Sequence, residues 1–295
     1  MPRDFFNPHN LGGEYLDLEN DFRLGTPTAV FGVSAPHKAL IAATCVPGRL
    51  VYICDNAQSA ARAAEEIAGF SGEEPALLCA KDDVLLYKDA VSRDSLHRRI
   101  RALRRILDGA RTVVCDVESL MQLFPADIPV LTLTEGEEID FSALPAELVR
   151  LGYTRTTSVD GRGNFALRGD ILDIFPVGAE NPVRVDFFGD TVEKIKPYNF
   201  VTGERLAQAK SVRIVAATDV FYGAEEVKKV KDAMYAELSS FKDAAAYDRA
   251  QTIASDLCNR MESGAFAGAA YAMPLLDSAR DFFSFLGDAL YLFDE

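Results

Sequence analysis

The sequence predicts an α/β domain built on a parallel sheet, interrupted by a module of mixed α+β structure with antiparallel strands. Two observations predict this fold. Between residues 28 and 125, short runs that are apolar throughout alternate with helical patterns, as in a parallel sheet covered on both faces. Between 129 and 215, strand-like runs are separated by turn signals at Asp160-Gly161 and Gly189-Asp190, which indicate antiparallel pairing. We therefore expect the α/β domain at 1–125 and 216–295, with the inserted module at 126–215.

Each element is predicted from its apolar periodicity. The first part of the α/β domain is expected to hold strands at Thr28–Gly32, Leu50–Cys54, Ala76–Cys79 and Thr112–Cys115, with helices at Lys38–Ala43, Ala57–Phe70 and Asp94–Leu107. The module is expected to hold strands at Val130–Leu133, Phe165–Phe175, Val183–Phe188, Val192–Lys196 and Val212–Val215, with one helix at Ser142–Leu151. After 216 the pattern is helical through Arg260 and again at Ser278–Leu286, before a strand at Ala289–Phe293. A core strand so close to the last residue favours a fragment of a longer protein.

Composition limits the kinds of partner and the compartment. Among 295 residues, 31 Lys+Arg face 45 Asp+Glu, a net charge of −14 that opposes wrapping of nucleic acid. The N-terminus has no apolar signal region, and no uncharged apolar run reaches the roughly 18 residues of a membrane span. The five cysteines form no Cys-x-x-Cys pair and mostly lie in apolar runs, so we expect reduced core residues of a cytoplasmic protein.

A P-loop-like segment lies between the first predicted strand and helix. A working loop has the form G-x-x-x-x-G-K-[ST], in which amides and the lysine bind phosphates and the hydroxyl binds Mg²⁺. Here Gly32 and Lys38 remain, but His37 replaces the second glycine and Ala39 replaces the hydroxyl residue. An ordinary turn would need no lysine, so the pattern favours a degenerate P-loop without ATP hydrolysis.

The helix predicted at Asp94–Leu107 is rich in arginine. An apolar stripe would leave Arg98, Arg101 and Arg105 on its outer face. One interpretation is that this face binds phosphates or an acidic partner. A solvated face balanced by neighbouring acids is favoured, because no aromatic residue interleaves the arginines to stack on bases.

The strand Val183–Phe188 offers the strongest candidate for binding. Its period of two places Val183, Val185 and Phe187 on one face and Arg184, Asp186 and Phe188 on the other. An aromatic ring beside an arginine on a rigid sheet is typical of a binding hot spot. The alternative is that Phe188 packs under a loop while Arg184 pairs with Asp186 or Asp170, and composition alone does not decide between them.

The acids Asp170, Asp173, Asp186 and Asp190 raise the possibility of a metal-dependent nuclease. Asp170 and Asp173 would lie on opposite faces of a regular strand, so convergence on one Mg²⁺ is disfavoured and ion-paired or solvated acids are expected. His9, His37 and His97 are too scattered to form a metal site or a triad. We predict no metal, no cofactor and no catalytic residue.

Three segments resemble a known module: Leu148–Arg155, Arg162–Pro176 and Pro182–Ile195. They are similar to the UvrA-binding module shared by UvrB and the transcription-repair coupling factors, and the flanks resemble the RecA-like domain that carries it. UvrB has an intact P-loop and a long aromatic hairpin. The broken loop and the short stretch at Leu85-Leu86-Tyr87 are closer to the N-terminal UvrB-like region of the coupling factors.

The resemblance implies a non-catalytic region that recruits the excision-repair protein UvrA to stalled RNA polymerase and can be masked by another domain. It places the family's UvrA-contacting residues on Arg168, Arg184 and Phe188, and a relic of the Walker B strand end on Asp294-Glu295. In the whole family protein, an ATP-dependent DNA translocase, RNA polymerase and double-stranded DNA are bound by regions absent here. The alternative is a UvrB-like nucleotide- or metal-dependent DNA-processing domain.

Overall fold

A computed structural model describes residues 8–81, 93–263 and 269–294. Its strands are β1 (Leu50–Cys54), β2 (Ala76–Leu78), β3 (Thr112–Asp116), β4 (Phe124–Pro125), β5 (Val130–Thr134), β6 (Thr154–Arg155), β7 (Asn164–Arg168), β8 (Ile171–Ile174), β9 (Val183–Phe188), β10 (Thr191–Pro197), β11 (Ser211–Val215), β12 (Ala279–Arg280) and β13 (Leu290–Asp294). Its helices are α1 (Pro8–Leu11), α2 (Gly13–Leu24), α3 (Ala35–Thr44), α4 (Ala57–Ser71), α5 (Arg93–Leu107), α6 (Leu144–Arg150), α7 (Ala224–Leu238), α8 (Ala244–Glu262) and α9 (Phe282–Leu286). The predicted Leu85-Leu86-Tyr87 stretch and Glu295 lie outside the described residues.

The first of two compact units contains a four-stranded parallel sheet in the order β13-β1-β3-β2. Every residue of β1 is buried, as the unbroken apolar run predicts. Helix α4 begins where the Asn56 side chain accepts hydrogen bonds from the amides of Gln58 and Ser59, both at 2.9 Å, and ends at Gly72 in the left-handed conformation. The predicted parallel sheet is confirmed.

The predicted strand at Thr28–Gly32 is wrong. These residues form no strand, and Phe31 is 88% exposed. Three consecutive apolar residues, Ala29 to Phe31, resemble a buried strand, but none of the described strands pairs with the backbone of this segment. Helix α2, which precedes it, was not predicted, although its last turn buries Phe22.

The second unit contains a five-stranded sheet in the order β10-β9-β8-β7-β6. Strands β7 to β10 are antiparallel neighbours, as the turn signals predict, whereas the short β6 pairs with β7 in parallel. The inner face of this sheet is apolar and buried, and its fully buried side chains include Phe165, Leu172, Ile174, Val185, Val192 and Ile195. This core holds the sheet rigid behind its polar outer face.

The run Phe165–Phe175 is a hairpin rather than the single strand that we predicted. Gly169 and Asp170 form a turn between β7 and β8, and Gly169 has a φ of 58° that a residue with a side chain rarely adopts. The expected placement of Asp170 and Asp173 on opposite faces of one strand is therefore also wrong, because Asp170 lies in the turn.

The helical region after 216 is grouped with the second unit as far as residue 279, whereas the sequence predicts that it belongs with the first part of the α/β domain. A shared apolar cluster explains this grouping: Val220, Val230, Leu257 and Met261 are buried together, and Leu123 packs against them. The predicted helix at Ser278–Leu286 is shorter than expected, because only Phe282–Leu286 is helical.

Candidate partner-binding surface

Strand β9 alternates between a buried and an outer face. Val183, Val185 and Phe187 are at most 5% exposed, whereas Arg184 and Asp186 are partly exposed and Phe188 is 80% exposed. The predicted period of two is confirmed. The alternative that Phe188 packs under a loop is wrong, since most of its ring faces solvent.

Strand register places the predicted binding residues on the outer face together. Arg168 on β7 is opposite Ile171 on β8, and Ile171 is opposite Asp186 on β9. Arg168, Arg184 and Phe188 therefore share one face, which we call the docking face. Along β9, Arg184 and Phe188 are four residues apart, or roughly 13 Å at about 3.3 Å per residue.

Two Gly-Asp hairpin turns lie at one end of the docking face. Arg168 precedes the turn Gly169-Asp170, and Phe188 precedes the turn Gly189-Asp190. Both glycines have positive φ, 58° and 59°, as the first position of a two-residue hairpin turn favours. The Asp190 carboxylate also accepts a hydrogen bond from the Phe141 amide at 3.1 Å, which fixes the second turn. Rigid turns hold the two side chains at one end of the sheet.

Arg184 is held by a carboxylate that the sequence did not reveal as its partner. Its Nε and Nη2 donate to Oδ1 and Oδ2 of Asp173 at 2.7 and 2.8 Å. The alternative in which Arg184 pairs with Asp186 or Asp170 is wrong about the partner, because Asp186 instead accepts from Lys196. The Asp173 hydrogen bonds raise the pKa of Arg184 above its ordinary value. Recognition of the Gly169-Asp170 turn would have placed Asp173 opposite Arg184, since β8 and β9 then align these two residues.

Cations are in excess on this outer face, although the whole chain is acidic. Arg168, Arg184, Lys194 and Lys196 lie on it by register. The carboxylates beside these cations are those of Asp173, which is 5% exposed, of Asp186, and of Glu193, whose oxygen lies 3.0 Å from Nζ of Lys194. Tyr198 is the residue after the end of β10. Its pKa is raised mainly by burial and also by the charge of Asp173, and the charges of Arg184 and Arg168 partly oppose this shift. The face therefore suits an acidic surface with an apolar recess for Phe188.

The P-loop-like residues lie at the start of α3 in the first unit. Pro36 is in the first turn, where it offers no amide, and the Oγ of Ser34 is 3.1 Å from Nδ1 of His37. Lys38 forms an ion pair with Asp294 at the end of β13, and Tyr52 Oη donates to the same carboxylate at 2.8 Å. Ala39 is buried and has no hydroxyl. Gly32 has a φ of 74° within the exposed segment.

The arginines of helix α5 differ in burial, and one of them is buried although the periodicity did not predict it. Arg98 and Arg105 are exposed and Arg101 is partly buried, but Arg99 is 2% exposed. Arg99 Nε donates to Asp219 at 3.1 Å, and its guanidinium lies 4.9 Å from the centre of the Phe124 ring. Arg105 contacts Glu74, with 3.4 Å between Nη1 and the carboxylate. The Arg105 pair agrees with the favoured interpretation of charges balanced by acids.

His97, on the same helix, should make stability depend on pH. Its ring is 5% exposed and lies close to Gly163, and burial lowers the pKa of His97 from 6.5 to about 4. Between these values the unfolded chain binds more protons than the folded chain, so acidification favours unfolding. We expect His97 to account for about 2 kcal/mol of lost unfolding free energy between pH 7 and pH 5.

Urea denaturation at both pH values checks this prediction, with His97→Gln as the comparison. The variant should lose less stability than the wild-type chain over the same interval, whatever its stability at pH 7. Equal losses in the two proteins would show that His97 does not titrate in this way.

Carboxylates on the sheet do not converge on a cation site. The Asp173 carboxylate binds Arg184, and Asp190 lies in a turn. Within the described ranges, no group of three or more His, Cys, Asp or Glu side chains is placed to hold a metal ion.

The five cysteines are free thiols, of which Cys79 is partly exposed and the other four are buried. None of the described helices combines the length and the apolar character that a bilayer crossing requires.

Comparison with known proteins gives this surface a family. Residues 131–220, which include the whole docking face, match the model of the UvrB interaction domain. The match assigns this part of the chain, and not the flanking segments, to the UvrB interaction domain.

Similarity extends beyond the domain to two kinds of protein. A transcription-repair-coupling factor of Mycobacterium bovis is 36% identical over 163 residues, which are 52% of this chain and 13% of the relative. One from Myxococcus xanthus is 27% identical over 226 residues, 71% of this chain and 19% of the relative. The UvrABC system protein B of Clostridium botulinum is 30% identical over 152 residues, 49% of this chain and 23% of the relative. The chain is thus similar to the N-terminal UvrB-like region of transcription-repair-coupling factors, and spans less than a quarter of the length of these relatives.

Proposed function

We propose that this chain is a non-catalytic docking region that binds UvrA through Arg168, Arg184 and Phe188. The observation that carries the proposal is Phe188, a phenylalanine that is 80% exposed on the same face of the sheet as the hydrogen-bonded Arg184. Exposed aromatic and arginine side chains are the residue types that dominate binding energy when a partner buries them. The match to the UvrB interaction domain supports UvrA as that partner.

The proposed role in repair is recruitment. In a longer protein of the coupling-factor kind, other regions would bind stalled RNA polymerase and double-stranded DNA, while this chain would bring UvrA to them. The net charge of −14 supports this division, because the chain by itself is poorly suited to hold DNA. We also propose that the protein acts in the cytoplasm, which its similarity to transcription-repair-coupling factors supports.

Calorimetric titration of purified UvrA with this chain tests the proposal. We expect saturable binding that weakens as salt is raised, because arginines contribute to the interface. A parallel titration with double-stranded DNA in place of UvrA should give no saturable heat. Absence of UvrA binding by the folded chain would contradict the proposal.

The competing candidate is a nucleotide-dependent enzyme, and we propose that the degenerate P-loop does not support it. Lys38 is paired with Asp294, Ala39 offers no Mg²⁺ ligand and Pro36 offers no amide to a phosphate. We expect no saturable binding in a titration with Mg·ATP up to millimolar concentration. Micromolar affinity for Mg·ATP, weakened by Lys38→Ala, would favour the enzyme instead.

A further inference from the structure

Among the described residues, Arg184 uses one edge of its guanidinium to bind another side chain, that of Asp173. A guanidinium has five N–H groups, and Asp173 accepts from Nε and from Nη2. The second edge, formed by Nη1 and the remaining Nη2 hydrogen, has the spacing to bind another carboxylate with two parallel hydrogen bonds. The Arg184 side chain is 42% exposed, whereas that of Asp173 is 7% exposed. A buried acid thus orients an arginine whose other edge is free to meet solvent.

The position of Asp173, and so of its ion pair with Arg184, is also set by buried neighbours in the sheet. Asp173 lies between Leu172 and Ile174, both fully buried on the inner face, and strand register sets it directly opposite Arg184. Ala166, the residue opposite Asp173 on β7, is 2% exposed and has no side chain that competes for the carboxylate. The carboxylate position is therefore determined by the sheet.

We propose that Asp173 is a positioning residue that holds Arg184 ready to bind a carboxylate of the docking partner. This inference rests on the proposed function. A long side chain that is already ordered loses less conformational freedom on binding than a mobile one, so pre-orientation strengthens the complex. Asp173 itself is too buried to contact the partner and acts through Arg184.

Affinity for UvrA in a double-mutant cycle tests the inference. Arg184→Ala and Asp173→Asn should each weaken binding about tenfold or more, and the double variant should bind about as well as Arg184→Ala alone. Asp173→Glu, which keeps the charge, should recover most of the affinity. If Arg184→Ala binds as tightly as the wild-type chain, the proposed docking face itself fails. If Arg184→Ala is weak but Asp173→Asn binds normally, only the positioning role is overturned.

A second variant keeps the test decisive if Asp173→Asn folds poorly. Arg184→Lys retains the charge but cannot share one planar group between two carboxylates, so its affinity should fall nearly as far as that of Arg184→Ala. Wild-type affinity in Arg184→Lys would overturn the inference. Asp219→Asn is the matched control, because Asp219 is another buried aspartate paired with an arginine, Arg99. It should lower the melting temperature without changing UvrA affinity at a temperature where circular dichroism shows a folded chain.

Discussion

Replacing Phe188 with alanine is expected to weaken UvrA binding by about 2 kcal/mol, or roughly 30-fold. The ring is 80% exposed in the free chain, so its apolar surface is removed from water only when the partner covers it. The same exposure predicts that the free energy of unfolding changes by less than about 0.5 kcal/mol. Titration calorimetry with UvrA measures the first quantity, and urea denaturation of the free variant measures the second.

Phe31→Ala is the control for this substitution. Phe31 is 88% exposed and belongs to the first unit, whereas the docking face belongs to the second. It removes the same side chain from a comparably exposed position, and we expect unchanged affinity. Equal loss of affinity in both variants would mean that the effect of Phe188→Ala is not specific to the docking face.

The largest effect on stability is expected at the buried pair of Arg99 and Asp219. Their side chains are 2% and 4% exposed, so removal of one charge leaves the other buried without its ion-pair partner. We expect Arg99→Met to lower the free energy of unfolding by about 3–5 kcal/mol. Urea denaturation at pH 7 provides the measurement.

A compensating variant separates the charge effect from the loss of packing. Arg99→Met combined with Asp219→Leu leaves no buried charge at the pair, and should be more stable than Arg99→Met alone. A double variant that is less stable than the single variant would contradict this account. In that case, packing of the Arg99 side chain against Phe124, rather than its charge, would dominate.

Residues on β9 show what local pattern can predict. Strict alternation along Val183–Phe188 identified the outward positions of Arg184 and Phe188, because one face of an antiparallel sheet must be buried. The strand Leu50–Cys54 was equally clear, since all five residues are apolar and all are buried. In both cases the signal lies within a single strand.

Asp173, Arg99 and the segment at Thr28–Gly32 show where local pattern fails. The partner of Arg184 depends on which residue of β8 lies opposite, and this register follows from the missed turn at Gly169-Asp170. Burial of Arg99 depends on Asp219, which is 120 residues away in sequence. The apolar run at 28–32 lacks a strand partner, which periodicity cannot reveal.

The distribution of charge on the docking face differs from the average for the chain. A net charge of −14 excludes little about protein partners, yet Arg168, Arg184, Lys194 and Lys196 share one outer sheet face. Three of these cations are paired with carboxylates of the chain, and the placement of all four on one face favours one orientation of an acidic partner. Recruitment would then depend on a small cationic area rather than on the average surface.

The most direct test of the account is the UvrA affinity of the double variant Arg184→Ala/Phe188→Ala. Circular dichroism at the assay temperature should show a folded chain. Loss of Arg184 is expected to lower the melting temperature, because it leaves the buried Asp173 carboxylate without the arginine that binds it. The account predicts loss of UvrA binding by about 100-fold or more. Wild-type affinity in this folded double variant would contradict the claim that the docking face binds UvrA.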